Sequence, residues 1–500
     1  MKSTDELYQN YVSKMARIAD VRNAAALLQW DQETYLPPKG ALLRGQQIST
    51  LAELSHQLFS EEDLGGLLLT LSAKDDLTPA QKRNVTLTLE DYDKNKKYSP
   101  QLVRALSDAV NKAFHAWVEA RKQNTFTFFR PALDALVQLK KEEAEVLGYQ
   151  QHPYDALLNE YEKGATVSLL DKTFDDLLPQ LKALYEKILA APQVDDSFLR
   201  QHFPKQQQWD WGLQLIKALH FDFEAGRQDK SEHPFSTSFN SGDVRITTRI
   251  DEADFGNMTW SCVHETGHGL YEQGLPADQY GLPLGEACSY SIHESQSRLW
   301  ENNVGRSIGF WQHHYPQLQQ HFPTQLGNVP LQTFYRGINK VQPSLIRTEA
   351  DEISYHFHVF IRYQLEKKLL KGSLQTADIP RYWSEQYAQL LDVQVPDDKQ
   401  GALQDVHWSH GSFGYFPTYS LGSLYAAQFF AKAEEEIPGL QTQIATGNIT
   451  PLLQWLRTGV HAKGRYYTSE DLCRQITGEP LNAKHFLLYA GAKYGAIYAE

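Results

Sequence analysis

The spacing of apolar residues constrains the fold of this chain more than any other feature of its sequence. Ala109, Ala113, Ala116, Trp117 and Ala120 recur at steps of three and four, which places them on one stripe of a helix. We therefore predict a mainly α protein, and we expect residues 1–500 to form a single domain, because large helical enzymes often pack as one body. The same helical period is found over residues 1–30, 40–60, 100–123, 130–147, 168–191 and 207–223.

One stretch interrupts the helical period and predicts a strand. Val244, Ile246 and Thr248 alternate with polar or charged residues, and a period of two with β-branched side chains is typical of a strand. An Asn-Ser-Gly turn at 240–242 precedes this stretch, which indicates a hairpin. The sequence therefore predicts a small β-sheet inside a mostly helical protein.

Charge and hydropathy exclude several classes of protein. The chain has 48 Lys and Arg residues against 61 Asp and Glu residues, a formal net charge of −13. We expect no nucleic-acid partner, because sequence-independent binding to nucleic acid needs a basic surface. The mean hydropathy is −0.50, and the sequence contains no apolar run of about 18 residues, the length a membrane span requires. We therefore expect no membrane association.

Cysteine use and the N-terminal segment indicate the compartment. The three cysteines, at positions 262, 288 and 473, are too few and odd in number for a disulfide framework. The N-terminal segment contains no continuous apolar stretch of the kind found in signal peptides. Both observations favour a reducing, cytoplasmic setting.

The strongest chemical signal is an H-E-x-x-H motif formed by His264, Glu265 and His268. Residues i and i+4 of a helix share a face, so both imidazoles can bind one ion, and zinc accepts imidazole nitrogen. Glu265 is then placed to take a proton from the attacking water, as the general base of a hydrolase.

Two glycines, Gly267 and Gly269, lie inside this predicted helix. Each costs about 0.8–1 kcal/mol relative to alanine in a helix interior, so their presence needs a reason. Close approach of another backbone or of a substrate would supply one. An ordinary helix with two hydrogen-bonded histidines, the competing interpretation of the motif, would not.

A catalytic zinc site needs a third protein ligand and an open coordination position. The segment 283–301 offers Glu286 and Glu294, with His293 as a rival. Glu294 leaves room for a loop and a returning helix after the motif, so the spacing favours it over Glu286. A third histidine soon after the motif is excluded, because position 274 is glycine.

Further motifs follow one another in a fixed order along the chain. They are His-Pro-Phe at 233–235, Asp-Val-Arg-Ile-Thr at 243–247, His-Glu-Ser-Gln at 293–296, Ile-Arg-Thr-Glu-Ala-Asp-Glu at 346–352, Gly-Ala-Leu-Gln-Asp-Val-His-Trp at 401–408 and Gly-Tyr-Phe-Pro-Thr-Tyr at 414–419. Together with the H-E-x-x-H motif, this set resembles the thermostable carboxypeptidase family of metallopeptidases, also called carboxypeptidase Taq. Trp30, Asp31, Pro37 and Arg44 resemble the family's N-terminal segment, so the resemblance covers nearly the whole chain. Ser354 stands where the family pattern has threonine.

The resemblance implies a metal-dependent exopeptidase, zinc or cobalt, that removes C-terminal residues from peptides with broad specificity, usually as a homodimer. It implies a two-lobed helical body with a deep active-site groove and a small β-sheet beside the metal site, similar to neurolysin and angiotensin-converting enzyme. The third metal ligand is carried over to Glu294. Tyr419 and Tyr415 are implied to stabilise the oxyanion, and His407 and His233 to hydrogen-bond the peptide.

A carboxypeptidase must also bind the free carboxylate of its substrate, and arginine does so through two parallel charged hydrogen bonds. Arg347 is the first candidate, and Arg245 and Arg249 on the predicted strand are alternatives. A helix beginning near Arg347 would place it on one face with Asp351 and Tyr355. A structural Arg347–Asp351 ion pair is therefore the competing interpretation.

Side chains that orient the ligand histidines are expected as well. Asp351, Glu352 and Asp405 are the candidates, and the sequence does not choose among them.

The sequence leaves other functions open. An oligopeptidase of the same fold that cuts internally is the nearest alternative, and a peptide with an amidated C-terminus would separate the two. An aminopeptidase is disfavoured, because the three methionines, at positions 1, 15 and 258, provide no Gly-x-Met-Glu-Asn segment. A non-catalytic helical binding protein is the remaining alternative, and its structural ion would need a fourth protein ligand.

Overall fold

The computed structural model describes residues 2–499, and helices account for most of them, which confirms the prediction from the apolar period. A π-helical segment, Leu299–Gly305, continues directly from the eleventh helix. None of the helices within residues 2–499 combines the length and the apolar character that crossing a membrane requires. The helices are α1 (Thr4–Thr34), α2 (Ala41–Phe59), α3 (Glu62–Ser72), α4 (Pro79–Lys96), α5 (Pro100–Gln123), α6 (Arg130–Leu147), α7 (Pro153–Tyr161), α8 (Val167–Ala190), α9 (Lys205–Ala218), α10 (Phe255–Glu272), α11 (Tyr290–Arg298), α12 (Ile308–His321), α13 (Pro323–Leu326), α14 (Leu331–Ile338), α15 (Tyr355–Lys371), α16 (Ile379–Leu391), α17 (Pro417–Glu436), α18 (Leu440–Ala445), α19 (Thr450–Gly459), α20 (Ser469–Thr477) and α21 (Lys484–Ile497).

A small three-stranded sheet packs against α10. It consists of β1 (Gly226–Lys230), β2 (Ser236–Asn240) and β3 (Asp243–Thr248), with β3 in the middle, parallel to β1 and antiparallel to β2. The β2–β3 hairpin confirms the turn predicted at 240–242. The sequence does not predict β1, because Gly-Arg-Gln-Asp-Lys contains no β-branched or aromatic residue. Backbone pairing with the largely buried β3 stabilises it instead.

Apolar side chains are buried in two cores of different size. The larger core extends through the main body from α5 to α21. The smaller one, here called the N-terminal core, contains Tyr11, Leu64, Leu68 and Tyr92 from α1, α3 and α4, together with Leu282. The N-terminal core and the larger core are thus packed separately.

A deep groove of about 2270 Å³ is lined by both parts of the molecule. Helix α4, which the N-terminal core supports, contributes Arg83, Glu90 and Lys94. Strand β2 and helices α10, α11 and α17 contribute residues of the main body. The sheet and the helix with the H-E-x-x-H motif therefore face the same groove.

The prediction that a helix begins near Arg347 is wrong. Arg347–Glu349 form a single short 3-10 turn, and α15 begins only at Tyr355. The Asp351 carboxylate accepts hydrogen bonds from the backbone N–H groups of Ile353 and Ser354, both at 2.9 Å. Such local side-chain bonds compete with helix formation, so Arg347 and Asp351 do not share a helical face.

Candidate metal centre

Helix α10 presents the two histidines of the motif to a carboxylate on α11. The helix is capped by Asp254, whose side chain accepts a hydrogen bond from the Gly256 N–H. The Nε2 atoms of His264 and His268 lie 3.6 and 3.5 Å from Oε2 of Glu294. All three donor atoms lie within 4.8 Å of one another, so the three predicted ligands converge on one point.

The glycines of the motif region explain how closely α10 is packed. A Cβ atom on Gly267 would lie 2.6 Å from Cα of Ser297, so only glycine fits where α10 meets α11. A Cβ atom on Gly269 would lie 2.7 Å from the Phe221 ring. Close approach of a neighbouring backbone and of an aromatic ring is thus the reason for both glycines.

Hydrogen bonds fix the tautomers of the two ligand histidines. Nδ1 of His264 donates to the Glu301 carboxylate at 2.9 Å. Nδ1 of His268 lies 2.6 Å from Nδ1 of His293, whose Nε2 lies 2.7 Å from the Glu272 carboxylate. Because a carboxylate accepts, His293 donates to Glu272 and in turn accepts from His268. Each ligand histidine therefore engages its Nδ1 in a hydrogen bond and directs its Nε2 toward the third ligand.

These partners differ from the predicted ones, because Asp351, Glu352 and Asp405 make no hydrogen bond to either ligand histidine among the contacts of residues 2–499. The approach of Glu301 and His293 depends on how α10 packs against α11 and the π-helical segment. The sequence offers a signal only for His293, which precedes the third ligand directly in the chain.

Arg298 orients the carboxylate of Glu294. Its Nε donates to Oε1 at 2.7 Å, which leaves Oε2 for the side of the histidines, and its guanidinium lies 4.5 Å from the centroid of the Tyr355 ring. Although burial opposes ionisation, Arg298 and His264 hold the pKa of Glu294 well below its usual range. Sequence reasoning missed Arg298, although its i+4 spacing from Glu294 is a usable signal.

The residues present fit a divalent metal ion. Two imidazole nitrogens and a carboxylate oxygen are donors that zinc and cobalt accept. Burial lowers the pKa of His268 to about 4, so its ring is neutral, the form that binds metal. Within residues 2–499 the cluster offers three ligands, whereas a closed structural zinc site uses four. Three protein ligands is the number that catalytic zinc sites use.

Glu265 lies between the two histidines on α10 and lines the groove. Its side chain is buried, and burial raises its pKa to about 7, although the neighbouring His264 opposes that shift. A carboxylate with this proton affinity suits a general base at neutral pH.

Arg347 lines the groove and belongs to a buried cluster with an unbalanced charge. Its Nε and Nη2 donate to Oδ1 of Asp405 at 3.0 and 2.8 Å, and its Nη1 donates to the Tyr355 hydroxyl at 3.0 Å. Arg362 donates to the other Asp405 oxygen at 2.6 Å. Two guanidinium groups thus share one carboxylate, which leaves one positive charge without a partner in this cluster. The competing Arg347–Asp351 ion pair is not formed.

The other two predicted arginines lie in different surroundings. Arg245 donates to Asp243 at 2.9 and 3.0 Å and lies 4.4 Å from the Trp30 ring centroid. Arg245 is not among the residues that line the groove in the described part of the chain, so it is not placed to bind the carboxylate of a substrate. Arg249 and His233 are exposed and line the groove, so both can contact a peptide.

Tyr419, Tyr415 and His407 lie together beside the Arg347 cluster. Nε2 of His407 lies 3.1 Å from the Tyr419 hydroxyl, and its buried Nδ1 has no hydrogen-bond partner within residues 2–499. A proton on Nδ1 would be unsatisfied, so Nε2 carries it and donates to Tyr419. The Tyr419 hydroxyl hydrogen is then left to donate, either to the neighbouring Tyr415 hydroxyl or to a group in the groove, which both tyrosines line.

A buried carboxylate that sequence reasoning missed anchors the loop before α17. Glu366 of α15 accepts hydrogen bonds from Trp408 Nε1 and from the Gly414 N–H, both at 2.8 Å, and from the Tyr154 hydroxyl. Burial raises its pKa to about 7. The Glu366 side chain thus holds the segment 407–415, which carries His407 and Tyr415, in place.

Comparisons with known proteins show which family this chain is similar to. Residues 10–494 match the model of the family described as carboxypeptidase Taq (M32) metallopeptidase. Thermostable carboxypeptidase 1 of Thermus thermophilus is 41% identical over 506 aligned residues, which cover 98% of this chain and 99% of that protein. Carboxypeptidase 1 of Bacillus subtilis is 37% identical, with 98% of both chains covered. The crystal structure of an M32 carboxypeptidase from Deinococcus radiodurans R1 superposes with a TM-score of 0.97 at 39% identity, covering 99% of each chain.

Proposed function

The chain belongs to the carboxypeptidase Taq (M32) family and is a metal-dependent carboxypeptidase, and from this premise we propose how its residues divide the work. The observation that carries the proposal is the convergence of two imidazole nitrogens and one carboxylate oxygen within 4.8 Å. His264, His268 and Glu294 hold the metal ion, which is zinc, with cobalt as the alternative.

Glu265 is the general base and acid. When bound, the ion would supply a Lewis acid to polarise the scissile carbonyl. Glu265 takes the proton of the attacking water and passes it to the leaving amine. Its burial in the groove wall raises its proton affinity, so it holds the proton during the interval between the two transfers.

Arg347 binds the free carboxylate of the substrate. The positive charge left over from the Arg347, Arg362 and Asp405 cluster attracts an anion to this part of the groove. Arg347 is already held by Asp405 and Tyr355, so little side-chain freedom is lost when a carboxylate binds. Arg249 and His233, exposed along the same groove, contact the rest of the peptide.

Tyr419 stabilises the negative charge that develops on the carbonyl oxygen. Its hydroxyl accepts from His407, which leaves its own hydrogen to donate, and loss of one such donor costs about 2.7–4 kcal/mol of transition-state stabilisation. Tyr415, whose ring centroid lies 5.2 Å from that of Tyr419, supports the ring from the side. His407 is kept neutral by burial, which lowers its pKa to about 3.

A pair of peptides tests this assignment. An N-blocked peptide with a free C-terminus and its C-terminal amide are incubated with metal-loaded and with chelated protein, and the products are identified by mass spectrometry. We expect the loaded protein to release the last residue of the acid and to process the amide roughly a hundredfold more slowly, the effect of losing a buried charged hydrogen-bond pair. Equal cleavage of both peptides would instead indicate the oligopeptidase that cuts internally.

Two further features belong to the proposal. The residues of α2, all of them described, include none that is buried, and Leu42 and Leu43 are 77% and 64% exposed. Exposed leucines on one helix mark an interaction surface, so we assign a homodimer interface to α2.

The three cysteines are free thiols, which suits a reducing cytoplasm. Recovery of the protein from cells in an extracytoplasmic fraction would contradict that location.

A further inference from the structure

Three tyrosines form an aromatic cluster in the groove that the mechanism does not use in full. The ring centroids of Tyr161 and Tyr290 lie 5.5 Å apart, those of Tyr161 and Tyr415 lie 5.2 Å apart, and those of Tyr290 and Tyr415 lie 5.3 Å apart. All three pairs are edge-to-face, with interplanar angles of 69–72°. All three residues line the groove, and Tyr290 is 49% exposed. We call Tyr161, Tyr290 and Tyr415 the tyrosine cluster.

Helix α11 fixes the position of this cluster relative to the metal ligand Glu294. Tyr290 and Arg298 lie four residues before and four residues after Glu294, which is about one helical turn, or roughly 6 Å, on either side. The Arg298 guanidinium lies 4.5 Å from the Tyr355 ring centroid, and Tyr355 accepts a hydrogen bond from Arg347. Along α11, the carboxylate site and Tyr290 are therefore on opposite sides of the metal ligand.

The groove wall gives the same order. The Arg347 guanidinium lies 4.8 Å from the Tyr419 ring centroid, Tyr419 lies 5.2 Å from Tyr415, and Tyr415 lies 5.3 Å from Tyr290. An extended peptide advances about 3.3–3.6 Å per residue. With its carboxylate at Arg347 and its last peptide bond at the metal ligands, it places the preceding side chain beside Tyr415 and Tyr290.

We propose that the tyrosine cluster binds the side chain of the penultimate residue of the substrate and selects aromatic and large apolar side chains there. The exposed Tyr290 ring offers an apolar face to such a side chain, and edge-to-face packing is the arrangement that aromatic rings prefer. This inference rests on the proposed function, because it takes Arg347 as the carboxylate site and thereby sets the direction of the peptide.

Two series of N-blocked peptides test the proposal. In the first series Phe, Leu or Gly is penultimate and Ala is terminal; in the second, Ala is penultimate and Phe, Leu or Gly is terminal. Tyr290→Ala should lower the ratio of kcat/KM for Phe over Gly about tenfold in the first series, the lower range of discrimination by an apolar contact. The ratio in the second series should change less than twofold. When Tyr290→Ala is combined with Glu265→Gln, the Kd values for the first series should no longer show a preference for Phe over Gly.

Two control variants keep the result interpretable. Tyr290→Phe retains the ring and should retain the preference. An unchanged ratio in the second series shows that Tyr290→Ala is folded. Phe128→Ala removes an aromatic side chain of equal exposure, 50%, that does not line the groove in the described part of the chain, and it should leave both ratios unchanged.

The outcomes separate this proposal from the proposed function. A shift confined to the second series, or no shift in either series, would overturn the assignment of the tyrosine cluster. The wild-type protein is also given the amides of the first series. Equal cleavage of acids and amides would remove Arg347 as the carboxylate site, whereas the effect of Tyr290→Ala on the Phe-over-Gly ratio would still test the tyrosine cluster for the residue that precedes the cut bond.

Discussion

Glu265 is the residue at which metal binding and catalysis can be separated. We expect Glu265→Gln to lower kcat/KM by about 10²–10⁴, the contribution of a positioned general base, while the metal content measured by mass spectrometry stays near that of the wild type. Glu301→Gln is the matched contrast, because Glu301 accepts from the ligand His264. That variant should lose metal affinity by about 10–100-fold. Substantial activity in Glu265→Gln would show that another group is the base.

Glu366 should make stability depend on pH. Burial raises its pKa to about 7 in the folded chain, against an ordinary value of 4.5. Between these values the unfolded chain loses the proton and the folded chain keeps it, so stability falls as pH rises from about 4.5 to 7. The loss amounts to at most about 3 kcal/mol. Glu366→Gln cannot ionise, so it should lose less stability than the wild type between pH 5 and pH 8.

Urea titrations followed by tryptophan fluorescence measure this effect. Both proteins are compared with chelator present, so that proton binding to the metal ligands contributes equally to each. Glu366→Gln replaces one acceptor oxygen with an amide donor that faces either Trp408 or the Gly414 N–H and Tyr154 hydroxyl, so a lower midpoint at every pH is expected. Parallel pH curves for the two proteins would mean that Glu366 is already ionised at pH 5.

At the level of elements, the contact between α10 and α11 assembles the metal centre. A Cβ atom on Gly267 would lie 2.6 Å from Cα of Ser297, and backbone cannot yield as a flexible side chain does. Gly267→Ala should therefore cost about 1–3 kcal/mol of stability, as overpacking does, and should weaken metal binding because it moves Glu294 away from the histidines. Thermal unfolding and a zinc titration measure the two effects.

Gly66→Ala is the control for that variant. Gly66 is exposed inside α3, and a Cβ atom there would meet nothing within 4 Å. The alanine should raise stability by about 0.8–1 kcal/mol through helix propensity alone. If Gly267→Ala proved as stable as the wild type with unchanged zinc affinity, the helices would not depend on this close approach.

Elements also show what the sequence can and cannot predict. The helical period predicts most helices, and the i, i+4 rule places His264 and His268 on one face, because both rules act within a few residues. Asp405 and Glu301, by contrast, reach their partners Arg347 and His264 across distant parts of the chain, and no local period encodes such contacts. Asp351 misleads for the opposite reason, since its own short-range hydrogen bonds interrupt a helical pattern.

For the whole molecule, α2 should determine the oligomeric state. Leu42→Glu combined with Leu43→Glu places charges on its most exposed apolar surface, and a buried charge without a partner is costly. We expect the dimer to dissociate into folded monomers, measured by light scattering coupled to size exclusion. Leu69→Glu, at a 62% exposed position on α3, should leave the dimer intact. A wild-type protein that is monomeric at micromolar concentration would contradict the interface.

The N-terminal core has a consequence for how this carboxypeptidase can diverge. Helix α4 packs on that core and borders the groove. Ion pairs from Arg465 to Asp91 at 3.1 Å and from Arg22 to Glu286 at 3.0 Å join this part of the molecule to the main body. Salt weakens such ion pairs more than it weakens apolar packing. One part of the groove wall, helix α4, thus belongs to a different core from the metal centre. Substitutions in α4 can change the groove during evolution while the metal centre stays as it was.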